Sequence, residues 1–207
     1  MAVTPKSAAA KLTYRDYAAL PEPHDARRYE ILDGDLVVTP SPLIHHQDVS
    51  SNLFTILDAH VRRRGLGRVY YAPVDVILHR NTIVVPDLVF VATQRASIVT
   101  ERAVEGPPDL LIEILSPSTA RRNRGIKARL YGRFGVPHYW IVDPRARTLT
   151  MYEARTTNPG RGADKPVRVA LTFDPGRTFT GRAKARSPLF PSLVIDLGKL
   201  WPQPFGA

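Results

Sequence analysis

Two acidic residues stand inside apolar runs: Asp87 in VVPDLVF, Val84 to Phe90, and Glu113 in DLLIEILSPST, Asp109 to Thr119. Both runs read as buried strands. A carboxylate buried in a strand costs several kcal/mol, roughly, unless it is paired, protonated or bound to a cation. Side chains alternate along a strand, so Glu113 shares a face with Leu111 and Leu115, and Asp87 shares one with Val85 and Val89. If the two strands are neighbours, the acids meet on one face of the sheet. Two unbound carboxylates in contact cannot both stay ionised cheaply. Mg²⁺, or Mn²⁺ in its place, removes that conflict by taking carboxylate oxygens while keeping several waters. A metal held in this way activates water and stabilises charge at a phosphoryl group. The rival for Asp87 is a turn role after Pro86. The rival for Glu113 is a structural salt bridge to an arginine of the following helix.

The elements that must position these acids follow from periodicity and punctuation. Thr13 and Asp16 form a capping-box pattern for a short helix through Leu20, which Pro21, Pro23 and Asp25 break. RYEILDGDLVVTP alternates around Asp33-Gly34, a hairpin signal. From His45 to Arg64, Val49, Leu53, Ile56, Leu57 and Val61 recur at helical spacing, and Gly65 stops the helix. GRVYYAPVDVILH and TIVVPDLVFVA predict two strands joined at Arg80-Asn81, with Pro86 marking an edge or distortion beside Asp87. PPDLLIEILS is a third strand. A helix follows, capped by Ser116 or Ser118, striped by Ile126, Leu130 and Phe134, and ended by Gly135. VPHYWIVDP and TLTMYEA are two further strands, with Tyr139 and Trp140 as core aromatics. This order implies an α/β protein with its helices around one mixed sheet.

The 207 residues, 43% of them hydrophobic, suffice for one domain with a real core. Residues 1–11 read as a mobile tail, and 12–207 as one domain with a β-rich C-terminal portion. Strands are expected at 149–154 and 166–173 around a Gly- and Pro-rich loop, within a basic stretch at 155–186. The tail FPSLVIDLGKLW should pack back on the sheet. There is no cysteine, which excludes disulfides and thiolate metal sites. No apolar run is long enough to span a bilayer, and the first residues lack a signal-peptide core, so a cytoplasmic protein without a membrane partner is expected. A net charge of +10 and a pI near 10.2 favour a polyanionic partner, nucleic acid first. Arg121, Arg122, Arg124 and Arg129 on the second long helix are candidate phosphate contacts.

The succession Y-E-I-x-D-G, P-D, E-I-L-S-P-S-T, a helix with Lys and Tyr, then Y-W-I-V-D-P resembles the Uma-two family. That family lies within the PD-(D/E)XK nuclease superfamily. The resemblance covers about residues 12–155. It implies a restriction-endonuclease-like core, a mixed β-sheet flanked by helices with a β-rich C-terminal extension, and a Mg²⁺-dependent endonuclease acting on DNA. It implies Asp87, Glu113 and Glu30 as metal ligands and Lys127 as the catalytic lysine, which in E-x-K proteins stands where this chain has Leu115. Tyr131, one turn on, and His46, at a helix start, are implied as neighbours of the site. Asn123 departs from the acid common at its position. By analogy the products carry a 5′-phosphate and a 3′-hydroxyl, and a homodimer is expected because cutting two strands takes two sites. The alternative is a catalytically inactive nucleic-acid-binding protein on the same scaffold.

Overall fold

A computed structural model describes residues 11–20, 27–156 and 171–202. The first ten residues of the expected tail, the Pro21–Asp25 breaker, Arg161, Lys165, Arg168 and the start of the strand expected at 166–173 lie outside these residues. Lys11, at the end of that tail, is placed: its Nζ donates to the Asp33 carbonyl and pairs with Asp35.

The first helix, α1 (Tyr14–Ala18), opens on the Thr13 pair, whose N–H and hydroxyl both donate to Asp16 Oδ2 at 2.7 Å. It ends two residues before the expected Leu20. Strands β1 (Arg28–Leu32) and β2 (Asp35–Thr39) form the expected hairpin. Asp33 and Gly34 both take positive φ, 53° and 90°, which a two-residue turn of this twist requires. Helix α2 (Ile44–Arg64) buries His46, Val49, Leu53, Leu57, His60 and Val61 along one stripe and closes on left-handed Gly65.

Two expected strands each prove to be two. GRVYYAPVDVILH divides at Pro73 into β3 (Gly67–Tyr71) and β4 (Asp75–His79). TIVVPDLVFVA divides at Pro86 into β5 (Thr82–Val84) and β6 (Leu88–Ala92). Proline offers no N–H to a ladder, so the chain can leave one sheet there and enter another. β7 (Ala103–Glu105), β8 (Leu110–Ile114), β9 (His138–Asp143), β10 (Thr148–Thr156), β11 (Leu171–Phe173) and β12 (Arg177–Thr180) follow.

The strands therefore form two main sheets rather than one. The first runs β2-β1-β5-β4-β7; the second runs β11-β10-β9-β8-β6-β3, with β12 also paired to β10. β8 and β9 are parallel, which demands a crossover connection, and the helical segment between them supplies it. That segment is not a regular helix. It comprises α3 (Ala120–Arg122), a π-helical turn (Asn123–Lys127) and α4 (Ala128–Arg133). A two-stranded ribbon, β13 (Lys184–Ala185) and β14 (Ile195–Asp196), follows, and a 3-10 turn (Leu197–Lys199) comes after it.

The faces of β8 separate as strand alternation predicts. Leu110, Ile112 and Ile114 join the α2 stripe in one cluster, into which Phe190, Leu193, Ile195, Leu197, Leu200 and Trp201 pack from the C-terminal segment. Leu111 and Leu115 join Leu130, Tyr131, Tyr139 and Ile141 in a second cluster, under the crossover segment. Glu113 therefore faces the crossover segment. Ile112 is 1% exposed at the centre of the first cluster. Ile112→Ala should cost about 2–5 kcal/mol, whereas Leu36→Ala on the exposed side of β2 should stay within about 0.5 kcal/mol, both read by urea denaturation.

Candidate active site

Four segments converge on one site. β1 places Arg28 and Glu30, two residues apart, on one face. The bend between β5 and β6 places Asp87, which lies outside both strands rather than inside one as the sequence suggested. Its N–H still donates to the Ile112 carbonyl at 3.1 Å, so Asp87 is pinned against β8. β8 places Glu113. The crossover segment places Asn123, Lys127 and Tyr131, each four residues after the last.

The acids are almost wholly desolvated: Glu30, Asp87 and Glu113 are 2–3% exposed, and Lys127 is 3% exposed. Each must therefore find partners inside the protein. Lys127 Nζ lies 2.7 Å from both Glu30 Oε1 and Glu113 Oε1. Glu30 Oε1 also accepts the Val85 N–H at 2.8 Å. Tyr131 Oη donates to Glu113 Oε1 at 2.6 Å, and Asn123 Nδ2 donates to Glu113 Oε2 at 3.0 Å. Arg28 Nη1 holds Asp87 Oδ1 at 2.7 Å. Asp87 Oδ2 accepts the Ile114 N–H at 2.7 Å and faces His46 Nε2 at 3.2 Å.

The two acids nearest the crossover segment and α2 are pushed apart in acidity. Burial pushes the Glu113 carboxyl up to about 7; Lys127 opposes this, and the charges of Asp87 and Glu30 add to it. Burial also acts to raise Asp87. The His46 hydrogen bond and charge, the Arg28 charge and the Ile114 N–H outweigh it and hold Asp87 below the usual carboxylate range. With Asp87 ionised, His46 Nε2 must be the donor, which leaves its buried Nδ1 without a partner.

Glu30, Asp87, Glu113 and Lys127 are thus brought together, with His46 and Tyr131 in direct contact. The cation on Glu113 is Lys127 and not an arginine of the helix. Asn123, a departure from the expected acid, is a neutral donor to Glu113, where another carboxylate would have added repulsion. Among the four candidate phosphate-binding arginines, only Arg122 turns to this cavity, its Nη1 donating to Thr39 Oγ1 at 2.9 Å. Arg124 pairs with Asp143 at 3.0 Å, and Arg121 and Arg129 are exposed. In the basic C-terminal stretch, Arg155 pairs with Asp174 and Arg177 with Glu153, while Arg182, Lys184 and Arg186 are exposed.

Arg28 escaped the sequence reading. The signal was present: in R-Y-E, residues two apart on a strand share a face, so whatever places Glu30 also places Arg28.

The model of the family described as "Uma2: Putative restriction endonuclease" matches residues 14–180. The chain belongs to the Uma2 family. The match runs past residue 155, where the sequence resemblance fades, as far as β12. Among solved structures, the chain is similar to one described as a putative nuclease belonging to DUF820, from Anabaena variabilis ATCC 29413. The TM-score is 0.68 at 20% identity, over 91% of this chain and 97% of that one. This likeness supports the mixed α/β, nuclease-like architecture. No curated protein matches the chain.

The donor set suits a hard divalent ion, since every acid offers oxygen and no thiolate is present. Among the described residues, however, no three His, Asp or Glu side chains form a ready-made metal cage. The cavity between the acids measures about 10 Å³, room for roughly one water-sized species. Mg²⁺ ordinarily takes one or two carboxylates and completes its shell with water or phosphate.

The raised Glu113 makes a prediction for the metal-free protein. Its folded form holds a proton that the unfolded chain, with a value of 4.5, has lost. Protons bound in excess by the native state mean that stability falls as pH rises, here from 4.5 towards about 7. Glu113→Gln cannot titrate. In EDTA its melting temperature should therefore gain on that of the wild type as pH rises through this window, and parallel curves would refute the assignment.

Proposed function

We propose that this Uma2 protein is a metal-dependent endonuclease that hydrolyses phosphodiester bonds in DNA. The observation that carries the reading is the single buried network in which Lys127 joins Glu30 and Glu113 beside an ionised Asp87. Asp87, Glu113 and Glu30 would hold Mg²⁺, or Mn²⁺. The ion would supply a more acidic bound water and charge stabilisation at the phosphoryl oxygens.

The chain's own residues have separate tasks. Lys127 Nζ, held by two carboxylates and buried with them, is a fixed positive charge that orients the attacking water and offsets charge growing at phosphorus. Tyr131 and Asn123 fix both oxygens of Glu113, so its carboxylate cannot rotate away. His46 and the Ile114 N–H do the same for Oδ2 of Asp87. Water attacks phosphorus and gives up a proton to solvent, the bond to the 3′ oxygen breaks, and the leaving 3′ oxygen takes up a proton from solvent in turn. Arg122 at the cavity and the exposed Arg121 and Arg129 supply attraction for the DNA backbone. A homodimer would pair two such sites for two strands.

One observation favours the second reading, an inactive nucleic-acid-binding protein. The Lys127 ammonium already neutralises two of the three acids, and Leu115 stands where E-x-K proteins carry their lysine. Cleavage decides between them. Supercoiled plasmid should be nicked and linearised in Mg²⁺ or Mn²⁺ and left intact in EDTA. Asp87→Ala and Lys127→Ala should each lose at least about 10²-fold in rate, the loss expected when a group stabilising transition-state charge is removed. Metal-independent DNA binding with no cleavage would select the second reading.

A further inference from the structure

Arg28 is bound in a way that a purely structural arginine is not. Its side chain touches Asp87 through Nη1 alone, at 2.7 Å, and this is its one side-chain hydrogen bond among the described residues. Its Nε is buried and has no partner. A guanidinium carries five N–H donors in a rigid fork and cannot shed its charge. Arginine–carboxylate pairs are frequently bidentate, with two parallel N–H bonds to the two oxygens. Here the second oxygen of Asp87 is already taken by the Ile114 N–H and His46, so the fork cannot close on it.

The two cations of the site also differ in freedom. Lys127 is 3% exposed and holds two acids, whereas the Arg28 side chain is 16% exposed and holds one oxygen. Arg28 reaches Asp87 from the rim. Its cross-strand partner on β2 is Thr39, and Thr39 accepts the Arg122 guanidinium. Two guanidinium groups therefore flank the mouth of the cavity, one with a buried donor still unsatisfied. The acceptor that matches a planar fork with spare donors is the pair of non-bridging oxygens of a phosphodiester.

The position of Arg28 is also one that a divalent ion would contest. Asp87 Oδ1 cannot keep a guanidinium at 2.7 Å and accept a second cation from the same side without strong repulsion. We propose that Arg28 is the resident counter-ion of Asp87 in the metal-free protein. When a divalent ion binds Asp87, Arg28 yields the carboxylate and closes its fork on the substrate phosphodiester. This inference rests on the metal-dependent reading above. It makes Arg28 a competitor of the metal and a partner of the substrate in turn.

The test uses the full chain. Mn²⁺ binding is measured by calorimetry without DNA, for wild type, Asp87→Asn, Arg28→Gln and Arg28→Lys, with thermal melts to confirm folding. Anisotropy of a fluorescent random-sequence duplex then gives DNA affinity with and without Ca²⁺. Arg28→Gln should bind Mn²⁺ about tenfold more tightly than wild type, since a competing charge is gone. It should also lose the gain in duplex affinity that Ca²⁺ confers. Arg28→Lys keeps the charge but not the fork, so its Mn²⁺ affinity should stay within about twofold of wild type while the Ca²⁺-dependent gain is lost. If wild type binds Mn²⁺, Asp87→Asn does not, and Arg28→Gln binds no more tightly than wild type, the exchange is overturned and the metal site stands. If no variant binds Mn²⁺, both are overturned. Should Arg28→Gln fail to fold, an Arg28→Lys protein that keeps the full Ca²⁺-dependent gain overturns the exchange on its own.

Discussion

The contact on which the site depends is Lys127 between Glu30 and Glu113. It joins three elements at one point: β1 from the first sheet, β8 from the second, and the π turn of the crossover segment. Two glutamate side chains buried this deeply and this close would repel each other as carboxylates. One ammonium at 2.7 Å from each offsets that repulsion and fixes their separation. Removing the lysine leaves two uncompensated buried acids, which is far worse than never having built the pair. The geometry of the acids is therefore set by charge compensation between them and not by packing alone.

The π turn explains how one helical segment serves Glu113 three times. Asn123, Lys127 and Tyr131 are spaced four apart, and over eight residues of a regular helix that spacing drifts round the surface. A wider turn at Asn123–Lys127 absorbs part of the drift and keeps all three side chains on one carboxylate. Tyr139 ties the turn to β9 by donating to the Asn123 carbonyl at 3.0 Å. That bond connects the parallel β8-β9 pair to the segment that crosses over it.

Local rules carried much of this structure in the sequence. The capping box at Thr13, the Asp33-Gly34 hairpin and the α2 stripe are written in neighbouring residues, where propensity and geometry act alone. The parity of LLIEI assigned Glu113 to the correct side of the sheet for the same reason. Other features depend on distant partners. Pro86 announced an interruption, but whether the chain resumed in the same sheet or another was decided by β1 and β4 on one side and β3 and β8 on the other. Nothing in the composition marks a π turn, because it changes the backbone register without changing the residue types that favour a helix. Lys127 could be singled out from Arg124 and Arg129 only by resemblance, since helical spacing alone placed all three near the same strand.

Asp87 and Glu113 began as equivalent anomalies, one acid in each of two apolar runs, and the fold makes them unlike. Asp87 sits where the chain changes sheets, within reach of a main-chain N–H, a histidine and an arginine, and it stays ionised. Glu113 sits within a central strand, where burial, with the charges of Asp87 and Glu30 behind it, outweighs Lys127 and pushes its carboxyl up to about 7. The difference arises from position and not from residue type. At the bend the Asp87 side chain reaches across to β8 and takes the Ile114 N–H, so the main chain helps to stabilise its charge. Glu113, within a central strand, accepts instead from the side chains of Lys127, Tyr131 and Asn123. The Glu113 side therefore depends on the crossover segment. Asp87 holds its charge through His46, Arg28 from the rim and the Ile114 N–H.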